Sequence, residues 1–370
     1  MNQFVPLFII LVWIAAAPAV GQTACTAPDA VCAARTGVFR ISAFDPEASA
    51  VLIEPGLLVT NRHAIANAGQ ARIIRPDGSH LTADVVPTSY DGDLVLLRAP
   101  GLAAPVIPLA PAPTKTNELY TVAADVGRQA IRVYRLGHPL ALPANGQPLA
   151  RLHHTARSQP GNSGGALVDA HGRLVGIVTS GGSGRHEAIP ASEISRLKSL
   201  SGPGHVQANA RIGLAYRQCI AALVAARANR QPLADNNVAF MSERCGASTN
   251  RQLMDLAGQA LGRRGHHDEA VSLFESALGQ DPNAVNTRLS LVVTLHLAQR
   301  FEAELPHLRN LIKVLPRDVQ VLRFAIQAGT WGKDPALAGQ GITLLKRHHP
   351  KLAPLAERFL SQPPPRRRPR

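Results

Sequence analysis

Three kinds of residue are scarce in this chain of 370 residues: aromatics are 4% of it, charged side chains 17%, and cysteine occurs four times. Low charge beside 45% hydrophobic residues excludes a self-repelling disordered polymer and leaves material for packed cores. No Cys-x-x-Cys occurs, which removes the redox dithiol and the zinc ribbon. The shortage of aromatics argues against a single-stranded nucleic-acid surface, where bases stack on interleaved rings. Acidic groups are the rarer sign, 25 against 39 basic, for a net charge of +14. The excess is lopsided: residues 1–200 carry 16 basic and 13 acidic side chains (+3), residues 201–370 carry 23 and 12 (+11). Length predicts two domains, at about 100–200 residues each, and the charge split says that they differ. The basic half suits an anionic envelope surface or acidic peptide segments, and no nucleic-acid partner is expected.

No charged side chain precedes Asp29. Phe4 to Gly21 is an almost unbroken apolar run that closes on small residues, with Ala17-Pro18-Ala19 in an Ala-x-Ala arrangement. It reads as a signal peptide over residues 1–21, cut near Ala19 to Gln22, although no basic residue opens it. An uncleaved membrane anchor is the alternative, since the run nears the roughly 17 residues that span a bilayer. Either reading places the body outside the cytoplasm, in the periplasm or secreted. In an exported chain Cys25, Cys32, Cys219 and Cys245 permit two disulfides. Three connectivities are possible, and nearness in sequence favours Cys25–Cys32 and Cys219–Cys245.

From Gly37 to about Thr179 short strand-like runs alternate with turn signals, as in Val38-Phe39-Arg40-Ile41 and Ala71-Arg72-Ile73-Ile74 before Pro76-Asp77-Gly78-Ser79. Many short strands at this spacing predict an all-β barrel or sandwich. Ala166-Leu167-Val168 and Leu174-Val175-Gly176-Ile177-Val178 flank Asp169-Ala170-His171-Gly172 as a hairpin, and a short helix over 191–200 closes the region. After Gly202-Pro203-Gly204 the periodicity turns helical. A helical hairpin over 212–228 and 238–245, pinned by Cys219–Cys245, forms a linker across 205–247. Pro282, Pro316 and Pro350 then recur at a 34-residue spacing. That period, with Ala257-Gly258, Leu261, Gly265, Ala270, Phe274 and Ala277 ahead of Pro282, resembles the tetratricopeptide repeat, a helix–turn–helix unit. The resemblance implies an all-α solenoid over 248–361 that holds a protein partner or a substrate in its groove. The second unit departs from the pattern, with Val292 and Glu304 where small residues are usual. The tail over 362–370, Pro-rich with Arg366, Arg367, Arg368 and Arg370, reads as an extended solvated terminus or as an arm for anionic surfaces.

The chemistry-bearing signal is Gly161-Asn162-Ser163-Gly164-Gly165 ahead of the apolar run Ala166-Leu167-Val168. Glycines there let the backbone turn tightly, so that the amides of Gly161 and Ser163 converge on a developing oxyanion while the Ser163 hydroxyl faces a carbonyl. Gly56 to Ala64 is a strand ending in His63. Asp91-Gly92-Asp93-Leu94-Val95-Leu96-Leu97 places a carboxylate at the edge of a buried strand; Asp93 abuts the apolar run and Asp91 is its competitor. The order His63, Asp93, Ser163 and the local motifs resemble the trypsin-like serine proteases, and Gly-Asn-Ser-Gly-Gly resembles their HtrA (Deg) branch.

The resemblance implies a trypsin-like double β-barrel over 33–200, with Ser163 as nucleophile, His63 as base and Asp93 as its orienting carboxylate. It also implies that Thr179, Ser180 and Gly181 line the substrate cleft. Ala188-Ile189-Pro190 resembles a further HtrA segment, with Glu187 in place of its Phe. Asn162 stands where secreted trypsins carry the aspartate that engages a new N-terminus, and no Ile-Val-Gly-Gly start exists, so no zymogen cleavage is expected. No PDZ-like segment follows. Arg157 lies near the expected pocket wall, either selecting an acidic residue or pointing outward. The pairs His153-His154, His266-His267 and His348-His349 read as surface histidines, and no metal or cofactor is called for. The sequence thus predicts an exported serine endopeptidase acting on protein or peptide substrates. A scaffold in which both halves only bind is the second reading.

Overall fold

The structure, a computed structural model, describes residues 25–364 except 76, 116 and 229–232. The apolar run read as a signal peptide and the arginines of the tail lie outside the described residues. Helix α1 (Asp29–Ala33) leads in, tied by the disulfide Cys25–Cys32.

Six strands form a closed barrel: β1 (Val38–Ser42), β2 (Ala48–Glu54), β3 (Leu57–Thr60), β4 (Gln70–Ile74), β5 (His80–Val86) and β6 (Val95–Arg98), in the order β1-β2-β3-β6-β5-β4. The alternation that predicts strands sets their faces. In β4, Ala71 and Ile73 are buried while Gln70 and Arg72 face out. One helical turn, α2 (Arg62–Ile65), follows β3. A second, seven-stranded sheet holds β7 (Leu119–Asp125), β8 (Ala130–Val133), β9 (Pro139–Ala141), β10 (Leu152–His154), β11 (Ala166–Asp169), β12 (Leu174–Gly182) and β13 (Arg185–Pro190). Its order is β8-β7-β11-β12-β13-β10-β9. Its two ends have no ladder between them; a bridge from Leu119 to Gly137 ties the β8–β9 connection back to β7. The β11–β12 hairpin turns where Asp169 Oδ1 accepts the N–H groups of His171 and Arg173. Helix α3 (Glu193–Ser199) packs against β6 and β13.

Beyond it the chain is helical: α4 (Val206–Ala228), α5 (Asp235–Ala247), α6 (Arg251–Gly262), α7 (His267–Gln280), α8 (Val285–Leu297), α9 (Phe301–Val314), α10 (Val319–Trp331), α11 (Pro335–His348) and α12 (Ala353–Phe359). Cys219–Cys245 joins α4 to α5 across 26 residues; closing a loop of that length contributes about 3.5 kcal/mol in the chain-entropy account. From α6 to α11 each helix packs on the next, giving a solenoid-like stack. Pro282, Pro316 and Pro350 each lie two residues past the end of α7, α9 and α11, where a residue without an N–H ends a helix pair. Gly258 lets α7 close on α6, since a Cβ there would lie 2.7 Å from the Phe274 ring. In the second pair the unusual Glu304 is fully buried and meets His296 Nδ1 at 3.2 Å, a polar solution to a position that small residues fill in the first pair.

The stack is seated on the β-rich region. A Cβ on Gly213 of α4 would lie 2.6 Å from the Ala66 carbonyl, and Ala66 belongs to the same buried cluster as Tyr216 and Phe274.

Candidate active site

His63 leaves the barrel on the turn α2, and Asp93 sits just before β6. The carboxylate holds the histidine twice: Oδ1 accepts the His63 backbone N–H at 2.9 Å and Oδ2 meets Nδ1 of the ring at 2.8 Å. Asp93 Oδ2 also accepts the Thr179 hydroxyl at 2.9 Å. Thr179 in turn accepts the Ser163 hydroxyl at its carbonyl, 3.1 Å away. One residue of β12 therefore ties the carboxylate to the serine. Ser163 makes this bond rather than one to the His63 ring. The competitor Asp91 faces elsewhere, paired with Arg196 at 2.7 Å.

The serine turn is held from both sheets. Ser49 donates its hydroxyl to the Gly161 carbonyl and its N–H to the Ser163 carbonyl, at 2.9 and 2.8 Å. Gly161 has φ +88°, a left-handed conformation that a side chain would strain. Asn162 points inward, donating to the Ala124 carbonyl at 2.7 Å and the Tyr134 hydroxyl at 3.1 Å. With both carbonyls engaged from behind, the N–H groups of Gly161 and Ser163 make no hydrogen bond within the described residues.

Burial works against charge on Asp93, yet the His63 ring, its hydrogen bonds and Arg151 hold the carboxyl at about 2. Burial also opposes charge on His63, but the Asp93 charge and hydrogen bond outweigh it and raise the imidazole above its usual 6.5.

Several residues near the site come from elements that motif reading left unconnected to it. The Tyr216 hydroxyl on α4 lies 3.5 Å from Asp93 Oδ1 and accepts a bond from Asn250 at 3.0 Å. Ser180 donates to Glu187 at 2.8 Å, and Glu187 pairs with Arg151 at 3.1 Å and with Arg251 of α6. His153 Nε2 meets Asp281, in the α7–α8 connection, at 2.9 Å. His153 and His154 are thus not surface histidines: they are 1% and 0% exposed, on a strand flanked by β13 and β9, with Asp281 against His153 and the His186 ring beside His154. Of the other pairs, His266, His267, His348 and His349 are partly exposed. Arg157 is exposed, and Gly181 pairs with His186 on β13. The one advance signal for this network is Glu187, a carboxylate where the family resemblance has an aromatic ring.

Residues 48–177 match the family of the trypsin-like peptidase domain. Protease Do-like 1 of Arabidopsis thaliana chloroplasts is 33% identical over 34% of this chain and 30% of its own length. Serine endoprotease DegS of Salmonella typhimurium is 31% identical over 35% of this chain and 38% of its own. Among solved structures, the HtrA-type protease AlgW with a tripeptide aligns at 28% identity over 46% of this chain and 62% of that one, with a TM-score of 0.42. The chain carries a trypsin-like peptidase domain with HtrA/Deg-like relatives. It spans 20% to 41% of the length of the curated relatives it matches. Among the described residues no helix is long and apolar enough to cross a membrane.

Proposed function

We propose that the chain is an exported serine endopeptidase that cleaves peptide bonds through an acyl-enzyme. Ser163 attacks the carbonyl, His63 takes its proton and returns it to the leaving amine, and Asp93 fixes the His63 tautomer and stabilises the imidazolium. The N–H groups of Gly161 and Ser163 receive the oxyanion, a role worth roughly 2.7–4 kcal/mol per donor. The observation that carries this reading is the His63–Asp93 contact at 2.8 Å, with Thr179 linking that carboxylate to Ser163. Thr179, Ser180 and Gly181 line the substrate side. The helical pairs, on their 34-residue period and proline stops, support a tetratricopeptide-like array over 248–361, behind a disulfide-pinned hairpin over 205–247. Export rests on the apolar run before Asp29 and on two disulfides.

A binding-only scaffold draws on one observation, the Ser163 hydroxyl resting on Thr179. A fluorophosphonate probe separates the two. The proposal expects stoichiometric labelling of Ser163 in folded protein, lost in His63→Ala; folded protein that stays unlabelled supports the scaffold.

The raised His63 pKa sets the pH profile. A base must be neutral, so activity rises with pH through the imidazole pKa and is lost below it. The acid limb of kcat/KM on fluorescent casein is expected to have its midpoint above pH 6.5, with about a tenfold fall per pH unit below it. A midpoint below 6.5 contradicts the Asp93–His63 coupling.

A further inference from the structure

Between β12 and the helical stack lies a cleft of about 490 Å³. One wall is the end of β12 from Ser180 through Gly182 and on to Ser183; the other is presented by α6, α8 and α10. Up to Val178, β12 is flanked by β11 and β13, but beyond it only β13 continues, so among the described residues the opposite edge over Thr179–Gly182 has no neighbouring strand. A free edge accepts an extended peptide as an added strand. Every ladder of this sheet is antiparallel, so an added peptide in the same pattern runs from Gly182 towards Thr179 and Ser163. Its N-terminal part then lies in the cleft, and its C-terminal end meets the serine.

The cleft has the lining that such a segment needs. Leu256, Val293 and Leu297 offer apolar surface, and the Gln252 and Gln320 amides can pair with main-chain groups. Asp255 supplies charge. It accepts a bond from Gln259 at 2.9 Å through Oδ2, and its Oδ1, shielded from water, meets no donor in good hydrogen-bond geometry among the described residues. The other carboxylate lining the cleft, Glu187, is already paired with Arg151 and Arg251. Burial raises the Asp255 carboxyl to about 6 against the pull of Arg251, Ser290 and Gln259. Three arginines also line the cleft: Arg185 is paired with Asp318 at 2.8 Å, Arg251 with Glu187, and Arg263 lies exposed two turns beyond Asp255.

We infer that this cleft is the upstream part of the substrate site, holding an extended segment N-terminal to the scissile bond and taking a Lys or Arg side chain against Asp255. The inference rests on the proposed proteolysis and assigns its substrate class: polypeptides with a basic residue upstream of the cut. Three residues of strand beyond Thr179 reach about 10 Å at about 3.3 Å each, so the basic residue falls roughly three to six positions before the cut.

The test uses the full chain and a peptide library made from a bacterial proteome by cleavage after glutamate, which leaves lysine and arginine internal. Cut sites are read by mass spectrometry. Lys and Arg are expected to be enriched about fivefold at one of these upstream positions, the scale of a single partly exposed ion pair, with the enrichment lost in Asp255→Asn and kept in Asp255→Glu. The same library is then passed over immobilised Ser163→Ala chain, with and without Asp255→Asn, and the retained peptides are read. Cutting with a flat upstream profile overturns the cleft assignment and leaves the proteolysis standing. Retention of basic peptides that depends on Asp255, without any cutting, upholds the cleft and overturns the proteolysis. Neither cutting nor Asp255-dependent retention overturns both.

Discussion

Asp93→Asn is expected to lower kcat/KM on casein by about 10⁴-fold while the fold survives. The size follows from what each carboxylate oxygen does. Oδ2 accepts from the Thr179 hydroxyl and faces His63 Nδ1, and Oδ1 accepts the His63 backbone N–H. Asparagine must put an NH₂ at one of these places. Facing Nδ1, it makes that nitrogen an acceptor and moves the ring proton to Nε2, the atom that has to take the proton from Ser163. Facing the backbone N–H, it sets donor against donor. In both cases the charge that stabilises the imidazolium is gone. The pH profile distinguishes this role from a merely structural one. With the Asp93 charge removed, burial and Arg151 act on His63 against only the weaker pull of Asp45, and the residual activity is expected to titrate below pH 6.5 rather than above it. Activity within tenfold of the parent chain, or an unshifted acid limb, would remove Asp93 from the proposed triad.

What the sequence shows of this site, it shows through short-range grammar. Glycines around Ser163, a strand running into His63 and a carboxylate abutting an apolar strand each describe local geometry, and the three segments meet because the closed barrel packs through β1 and β2 against β7 of the second sheet. The helical half is legible for the same reason: prolines at a fixed period mark helix ends whatever the partner surface is. The contacts between the halves have no such grammar. His153 and Glu187 lie on strands whose pairing is set by registers across the second sheet, Arg151 lies just before one of them, and Arg251 and Asp281 lie 100 and 130 residues after Arg151 in the chain. A charged residue inside an apolar strand looks the same whether it faces water or a partner on another domain. His153 and His154 read as surface histidines for that reason; Asp281 of the α7–α8 connection meets the first, and the second is buried beside His186. A tyrosine within a helix reads as packing; the Tyr216 hydroxyl reaches Asp93 because Gly213, one turn earlier, lets α4 approach the Ala66 carbonyl.

That buried network carries the second large expectation, a loss of about 3–5 kcal/mol of stability in Asp281→Ala. Asp281 is fully buried. It meets His153 Nε2 at 2.9 Å, the Arg151 N–H at 3.3 Å and Arg251 Nε at 3.7 Å, and its Oδ1 accepts the Asn283 N–H. Alanine leaves Arg251 and Arg151, two guanidinium groups each at most 5% exposed, to share Glu187 as their one ion-paired carboxylate among the described residues. The cost of an uncompensated buried charge exceeds that of a lost surface pair, which is why the magnitude is large. The pH dependence has a definite sign. Burial opposes the Asp281 charge, but His153 and Arg251 hold its carboxyl down at about 2, below the ordinary 3.8. Its stabilisation is therefore complete above about pH 4 and lost as pH falls towards 2. His153, whose pKa burial depresses, adds a further loss that begins as pH drops through 6.5, because the unfolded chain takes up the proton first. Because Asp281 belongs to the helical half and His153 and Arg151 to the β-rich half, the change also breaks the coupling between them. Calorimetry of the parent chain is expected to show one transition at pH 7, and Asp281→Ala two, with the helical region melting first. A single transition shifted by less than about 1 kcal/mol would mean that the apolar packing around Ala66 and Tyr216 is enough to hold the halves together, and that the charges only set their register.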